Sequence, residues 1–190
     1  MKSRWTTILS FSYFMMMLGC FLFFWFGNDV YRYQIGIGGM VASLIPMIIE
    51  RLSRSQLKKS LVISYFVFLI GSQVFGSLMR FYSLGWWDTF LHFLSGGLIA
   101  FAALELMDRW TTPAARKGMS RRFVLLFLFS VSVLGGVFWE IYEFSADQLL
   151  GTTTQGGGNV DTMGDLIADS LGGLLVASVI AFKKQTNEQK

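Results

Sequence analysis

Charge is what this sequence is short of. Asp, Glu, Lys and Arg make up 15% of its 190 residues, against about 25% in soluble domains. So few ionised side chains leave no room for a separate soluble domain. Cys20 is the single cysteine, which rules out an internal disulfide. His92 is the single histidine, and no Ser-His-Asp or Cys-His grouping accompanies it, which argues against nucleophilic catalysis of the serine-hydrolase sort. The run Gly156-Gly-Gly158 lacks a following Lys-Ser/Thr, so it reads as a flexible hairpin and not as a phosphate loop.

What the sequence has instead is apolar length. Hydrophobic residues make up 53% of the chain, with 19 Phe and 10 Met, and apolar runs of roughly 20 residues recur from end to end, as bilayer-crossing helices require. The expected spans are 5–26, 31–49, 61–79, 86–107, 123–149 and 161–182. The fold class is therefore all-α: a polytopic membrane helix bundle of six transmembrane helices in one domain covering 1–190. Met17-Leu-Gly-Cys20 is similar to a lipoprotein cleavage box, but the apolar run continues through Phe26, which makes it a transmembrane helix. Pro46 is expected to kink the second span, and Gly36, Gly38 and Gly39 permit close helix approach.

The formal charge of +4 does not point to a nucleic-acid partner, because the basic residues stand in short tracts between apolar runs. Such tracts face anionic lipid on the cytoplasmic side. With the N-terminus inside, 14 Lys and Arg fall on inner segments, and only Arg32 and Arg80 on outer ones. The expectation is a multi-pass cell-membrane protein with both termini cytoplasmic. Five of the six Trp (5, 25, 86, 87 and 110) fall at span ends, where an aromatic belt belongs.

Three acidic runs stand out against this background: Asp88-Thr-Phe-Leu-His92, Glu140-Ile-Tyr-Glu143 with Asp147 beyond, and Asp161 through Asp165 to Asp169. The fourth and sixth helices enter from outside and carry their acids in the first turns. The fifth enters from inside and reaches Glu140 roughly 25 Å along its length, at a rise of about 1.5 Å per residue. All three sets thus arrive at one level. Their i,i+3 and i,i+4 spacings put each set on one helix face, and that face must turn inward, since lipid offers a carboxylate no partner. Gly96-Gly97, Gly135-Gly136 and Gly172-Gly173 would let the same helices pack closely just below.

Seven carboxylates at one level repel one another, by about 4 kcal/mol per pair 4 Å apart at an effective dielectric of 20. Arg32 and Arg80 cannot neutralise them, so a bound cation or shared protons are needed. The expected metal ligands are His92, Glu140, Glu143, Asp165 and Asp169, with Asp88, Asp161 and Arg80 in support; Asp147 and Asp161 belong at the water interface. A mostly oxygen set favours Mg, Ca or Mn, and the imidazole admits Zn or Fe. No catalytic residue can be named. For His92 the structural alternative is a hydrogen bond to Asp88 one turn away, and for the two glutamates a clasp to Thr, Ser or Arg80. Glu105, Asp108 and Arg109, at the inner end of the fourth span, read as solvated interface residues.

In this order the three runs resemble the VanZ-like integral membrane proteins and, more closely, the YjdF-type group. The VanZ-like pattern opens one helix with Asp-Lys-x-x-His, places a Glu late in the next, and opens the last with Asp-x-x-x-Asn-x-x-Gly. Here Thr89 replaces the Lys, Glu143 stands where Gln is common, and Asp169 replaces the Asn. The resemblance covers about Trp86 to Gly173 and implies a membrane helix fold with this site. VanZ-like proteins are linked with low-level glycopeptide resistance at the cell surface. Three functions stay open: a metal-dependent enzyme at the outer leaflet acting on a lipid or envelope-linked small molecule, a cation- or proton-coupled transporter, and a non-catalytic envelope binding or resistance factor.

Overall fold

The computed structural model describes residues 4–151, 154–156 and 158–188, with side chains at 150 and 184–188 outside that description. Lys2 and Lys190, the Lys184 side chain, and Thr152, Thr153 and Gly157 of the expected flexible turn fall outside it. Among the described residues the chain is all helical: α1 Arg4–Phe26, α2 Val30–Ser53, α3 Lys59–Leu69, α4 Trp87–Trp110, α5 Pro113–Gly118, α6 Arg121–Leu150 and α7 Asn159–Glu188. Six segments are long and apolar enough to cross a membrane, the third being Lys59–Leu78, and they coincide with the six expected spans to within a few residues. Large apolar side chains face outward, such as Phe11 at 65% and Leu126 at 60% exposure, while Asp165 and Asp169 are 1% exposed. Exposed apolar side chains together with buried carboxylates are the arrangement that lipid, not water, stabilises.

The helix ends have identifiable causes. Asp29 caps α2 by accepting from the Arg32 amide at 3.1 Å, Thr112 caps α5 with Pro113 at its start, and Ser120 caps α6. These side-chain oxygens occupy amides that have no intrahelical acceptor. Gly151, at φ 67°, closes α6 in the left-handed conformation, which a glycine adopts without Cβ strain.

The chain forms two compact units, Met1–Trp87 and Asp88–Lys190. In the first, α1 and α2 pair along their length, and Gly36 brings the α2 backbone against that of Phe21, where a Cβ would stand 2.9 Å from the Phe21 Cα. The core is Tyr13, Met17, Val62, Phe66, Leu69 and Leu78. After Leu69 the third span widens into a π-helix, Ile70–Leu78; the Met79 amide reaches the Val74 carbonyl at 2.9 Å. The Tyr13 hydroxyl donates to Gln73 Oε1 at 2.9 Å. The basic stretch 50–59 begins inside α2, and its first residue, Glu50, is buried, accepting from the Thr6 hydroxyl at 2.8 Å and the Leu57 amide at 3.0 Å.

In the second unit α4, α6 and α7 pack on one another. A Cβ on Gly172 would collide with the Phe93 carbonyl, and one on Gly96 with the Asp169 carbonyl. The backbones of α4 and α7 are therefore in direct contact, as small residues permit between membrane helices. The Ser132 hydroxyl of α6 donates to the Gly96 carbonyl at 2.7 Å. Beyond this contact lies an apolar core of Ala103, Met107, Val124, Leu128 and Ala177.

Candidate functional site

Three helix ends of the second unit build one cluster. Asp88 and His92 come from the first two turns of α4, Glu140 and Glu143 from late α6, and Asp165 and Asp169 from the second and third turns of α7. His92 is at the centre. Its Nδ1 lies 3.0 Å from Asp169 Oδ2 and 4.0 Å from Glu140 Oε1. Its Nε2 lies 3.8 Å from Asp165 Oδ2 and 3.9 Å from Asp88 Oδ1. All except the half-buried Asp88 are buried. The i,i+4 and i,i+3 spacings do bring each set to one face, and the three faces meet.

The imidazole does not take Asp88 as its hydrogen-bond partner. The hydrogen bond goes to Asp169, 77 residues further on, because Gly136 leaves room for the Asp169 carboxylate between α6 and α7. Asp169 Oδ1 accepts the Ser95 hydroxyl, so both its oxygens are engaged. A carboxylate held in this way fixes the ring orientation. In the neutral ring it keeps the proton on Nδ1, which leaves the Nε2 lone pair to Asp88 and Asp165. Ser95 stands three residues after His92, on the same face, and that spacing was the signal that could have identified it.

The glutamates differ in their surroundings. Glu143 Oε1 accepts from the Trp139 indole at 3.1 Å. Thr162 lies against Glu140, as Thr89 does against Asp165. Among the described residues, Glu140 Oε1 and Asp165 Oδ1 are buried with no hydrogen-bond partner. Bare carboxylate oxygens away from water are costly. Among the described residues two triads have ligand atoms within 4.8 Å of one another: Asp88, His92 and Asp165, and His92, Glu140 and Glu143. With Nδ1 committed to Asp169, the first triad is the better placed. Atoms that share one ion at about 2.0–2.2 Å stand roughly 3 to 4.4 Å apart, and the Nε2-to-oxygen separations of 3.8 and 3.9 Å lie in that range.

Of the remaining expected residues, Asp161 borders the cluster: it is half-buried in the first turn of α7, is not paired with His92, and its charge acts on Asp88 and Asp165. Asp147 organises the loop after α6, accepting from the Thr154 amide at 2.7 Å and the Gln155 amide at 2.9 Å; the expected flexible turn is anchored at these two residues. Arg80 belongs to the first unit, where it starts a 3₁₀ turn at φ 64°. At the far end of α4, Glu105 is buried and paired with Arg109 at 3.0 Å, and Asp108 pairs with Arg116. These residues are therefore not simply solvated.

Fold and site together define an integral membrane protein with six candidate spans and a buried His–carboxylate cluster at one end of α4, α6 and α7. The chain belongs to the DUF2238 family, described as "Predicted membrane protein", which it matches over residues 9–186. It is 31% identical over 142 residues to an uncharacterised protein of Thermotoga maritima, covering 73% of this chain and 71% of that one. No solved structure matches it.

Proposed function

We propose that the cluster is a divalent-cation site that handles an envelope lipid or lipid-linked substrate from the outer face of the cell membrane. Asp88, His92 through Nε2, and Asp165 supply the first ligands, and Glu140 and Glu143 supply further oxygens. Asp169 positions the imidazole. The observation supporting this reading is a pair of buried oxygens, Asp165 Oδ1 and Glu140 Oε1, that have no hydrogen bond among the described residues and belong to carboxylates flanking His92. One imidazole stands among five carboxylates, and a cation offsets the excess charge that burial makes costly. An oxygen-rich set with one nitrogen suits Mg, Mn, Zn or Fe(II). Such an ion would hold a phosphate oxygen or activate a water.

The outward placement and cytoplasmic termini follow from the distribution of Lys and Arg. The envelope substrate is suggested by the resemblance to VanZ-like proteins, which are linked with glycopeptide resistance at the cell surface. Transport is the weaker reading, since the backbones of α4 and α7 touch one turn below the site and an apolar core follows. The test is metal analysis of protein purified after growth with Mg, Mn, Zn and Fe supplied. Wild type should retain one stoichiometric ion, and Asp165→Asn and Glu140→Gln should lose it while keeping their helical circular dichroism. No metal in the wild type under any of these conditions refutes the proposal.

A further inference from the structure

The opposite end of the second unit carries a different cavity. About 540 Å³ opens between the last turns of α4, the short α5, the first turn of α6 and the end of α7. Its floor is apolar, formed by Leu104, Met107, Val124 and Ile180, and its rim carries Arg116, Lys117 and Lys183. Among the described lining residues the carboxylate is that of Asp108, which is paired with Arg116, so positive charge is in excess there. Lys117 and Lys183 are exposed. Around the opening stand the features of a membrane–water boundary: Trp110 is exposed, and the Arg121 guanidinium lies 4.3 Å from the centre of the Phe182 ring.

We propose that this cavity binds an anionic phospholipid, with its phosphate on Lys117 and Lys183 and an acyl chain along the apolar floor. A soluble anion would leave the floor unfilled, and a zwitterionic lipid would place its own ammonium against the lysines. The acidic lipid alone satisfies both halves. Basic pockets between membrane helices recognise such headgroups. The site shares no residue with the acidic cluster and does not depend on a metal there.

The probe is dioleoylphosphatidylglycerol added to the full chain in neutral detergent. Bound lipid is counted by native mass spectrometry, and affinity is read from the thermal-unfolding shift. Phosphatidylglycerol should stabilise the wild type, while phosphatidylcholine and glycerol phosphate at equal concentration should not. Each lysine lost should weaken apparent affinity about fivefold, so Lys117→Ala with Lys183→Ala should cost roughly thirtyfold. Lys117→Arg with Lys183→Arg should retain binding, as should Arg51→Ala with Arg54→Ala, which removes equal charge from the other basic loop. Equal losses in the two alanine pairs would overturn the proposal, as would stabilisation by phosphatidylcholine or by glycerol phosphate alone. If the lysine-to-alanine pair does not fold, a failure of the arginine pair to retain phosphatidylglycerol overturns it as well.

Discussion

Replacing Asp169 by Asn tests the orientation of the single imidazole. The substitution keeps the volume, and in the orientation that keeps its oxygen on the Ser95 hydroxyl it turns the group 3.0 Å from His92 Nδ1 into an amide NH₂. An NH₂ there demands an acceptor, so the ring proton moves to Nε2 and occupies the lone pair that faces Asp165 at 3.8 Å. Loss of a carboxylate that orients a ligating histidine costs about 10–100-fold in metal affinity, or about 1.4–2.7 kcal/mol. Asp165→Asn, which removes a proposed ligand, should cost more than that. His92 is the chain's one histidine, so ¹⁵N-histidine labelling gives one unambiguous pair of ring signals. Asp169→Asn should exchange the protonated nitrogen from Nδ1 to Nε2, with Mn²⁺ affinity by calorimetry falling in parallel. Unchanged tautomer and affinity within twofold of wild type would refute the reasoning.

Binding of a divalent ion should release protons in weakly buffered titrations, because bound carboxylates and imidazole must be unprotonated; no release beyond that of Asp165→Asn would count against ligation. Gly172→Ala would drive a methyl into the Phe93 carbonyl; overpacking of this kind costs about 1–3 kcal/mol or more, read as a lowered unfolding temperature together with weaker metal binding. Glu50→Ala leaves the Thr6 hydroxyl and the Leu57 amide without their acceptor, at about 1–3 kcal/mol, and should lower unfolding temperature while leaving metal affinity unchanged. Asp147→Ala should raise amide hydrogen exchange at Thr154 and Gln155, which the carboxylate now holds; unchanged exchange would mean that the loop is ordered by other contacts.

The six spans were legible because lipid imposes one demand on each of them: about 20 apolar residues in helical form. The meeting of the three acidic runs was legible for a related reason. Depth is counted along a helix at a fixed rise, and a carboxylate within a span has only the protein interior to face. Partner choice was not legible at the same level. Helical spacing makes Asp88 a neighbour of His92, yet the hydrogen bond goes to Asp169, and only the inter-helix gap left by Gly136 determines that. Glu50 escaped for the same reason. It follows a proline-containing span and precedes basic residues, so locally it reads as solvated, while its partner Thr6 lies 44 residues away. The short α5 carried its own signal in Thr112-Pro113, a capping residue followed by proline at the first helical position. The π-helical stretch had none, since its widening shows in the Val74–Met79 backbone bond and not in residue type.

The glycine contacts connect the packing of the second unit to what its site can do. Gly96 and Gly172 set α4 against α7 with no intervening side chain, and His92 stands about one turn and Asp165 about two turns above on those same two backbones. Any separation of the helices therefore appears directly in the His92–Asp165 distance. Below the contact, Ser132 spends its hydroxyl on the Gly96 carbonyl, and Ala103, Leu128 and Ala177 are fully buried. An ion crossing that layer would have to exchange carboxylates for methyl groups, at a desolvation cost of several kcal/mol or more. On the proposed function, a ligand entering this cluster therefore leaves by the way it came. That is the behaviour of a binding or reaction site with a closed floor, and it makes ion occupancy, rather than flux, the quantity that separates the proposed function from its alternatives.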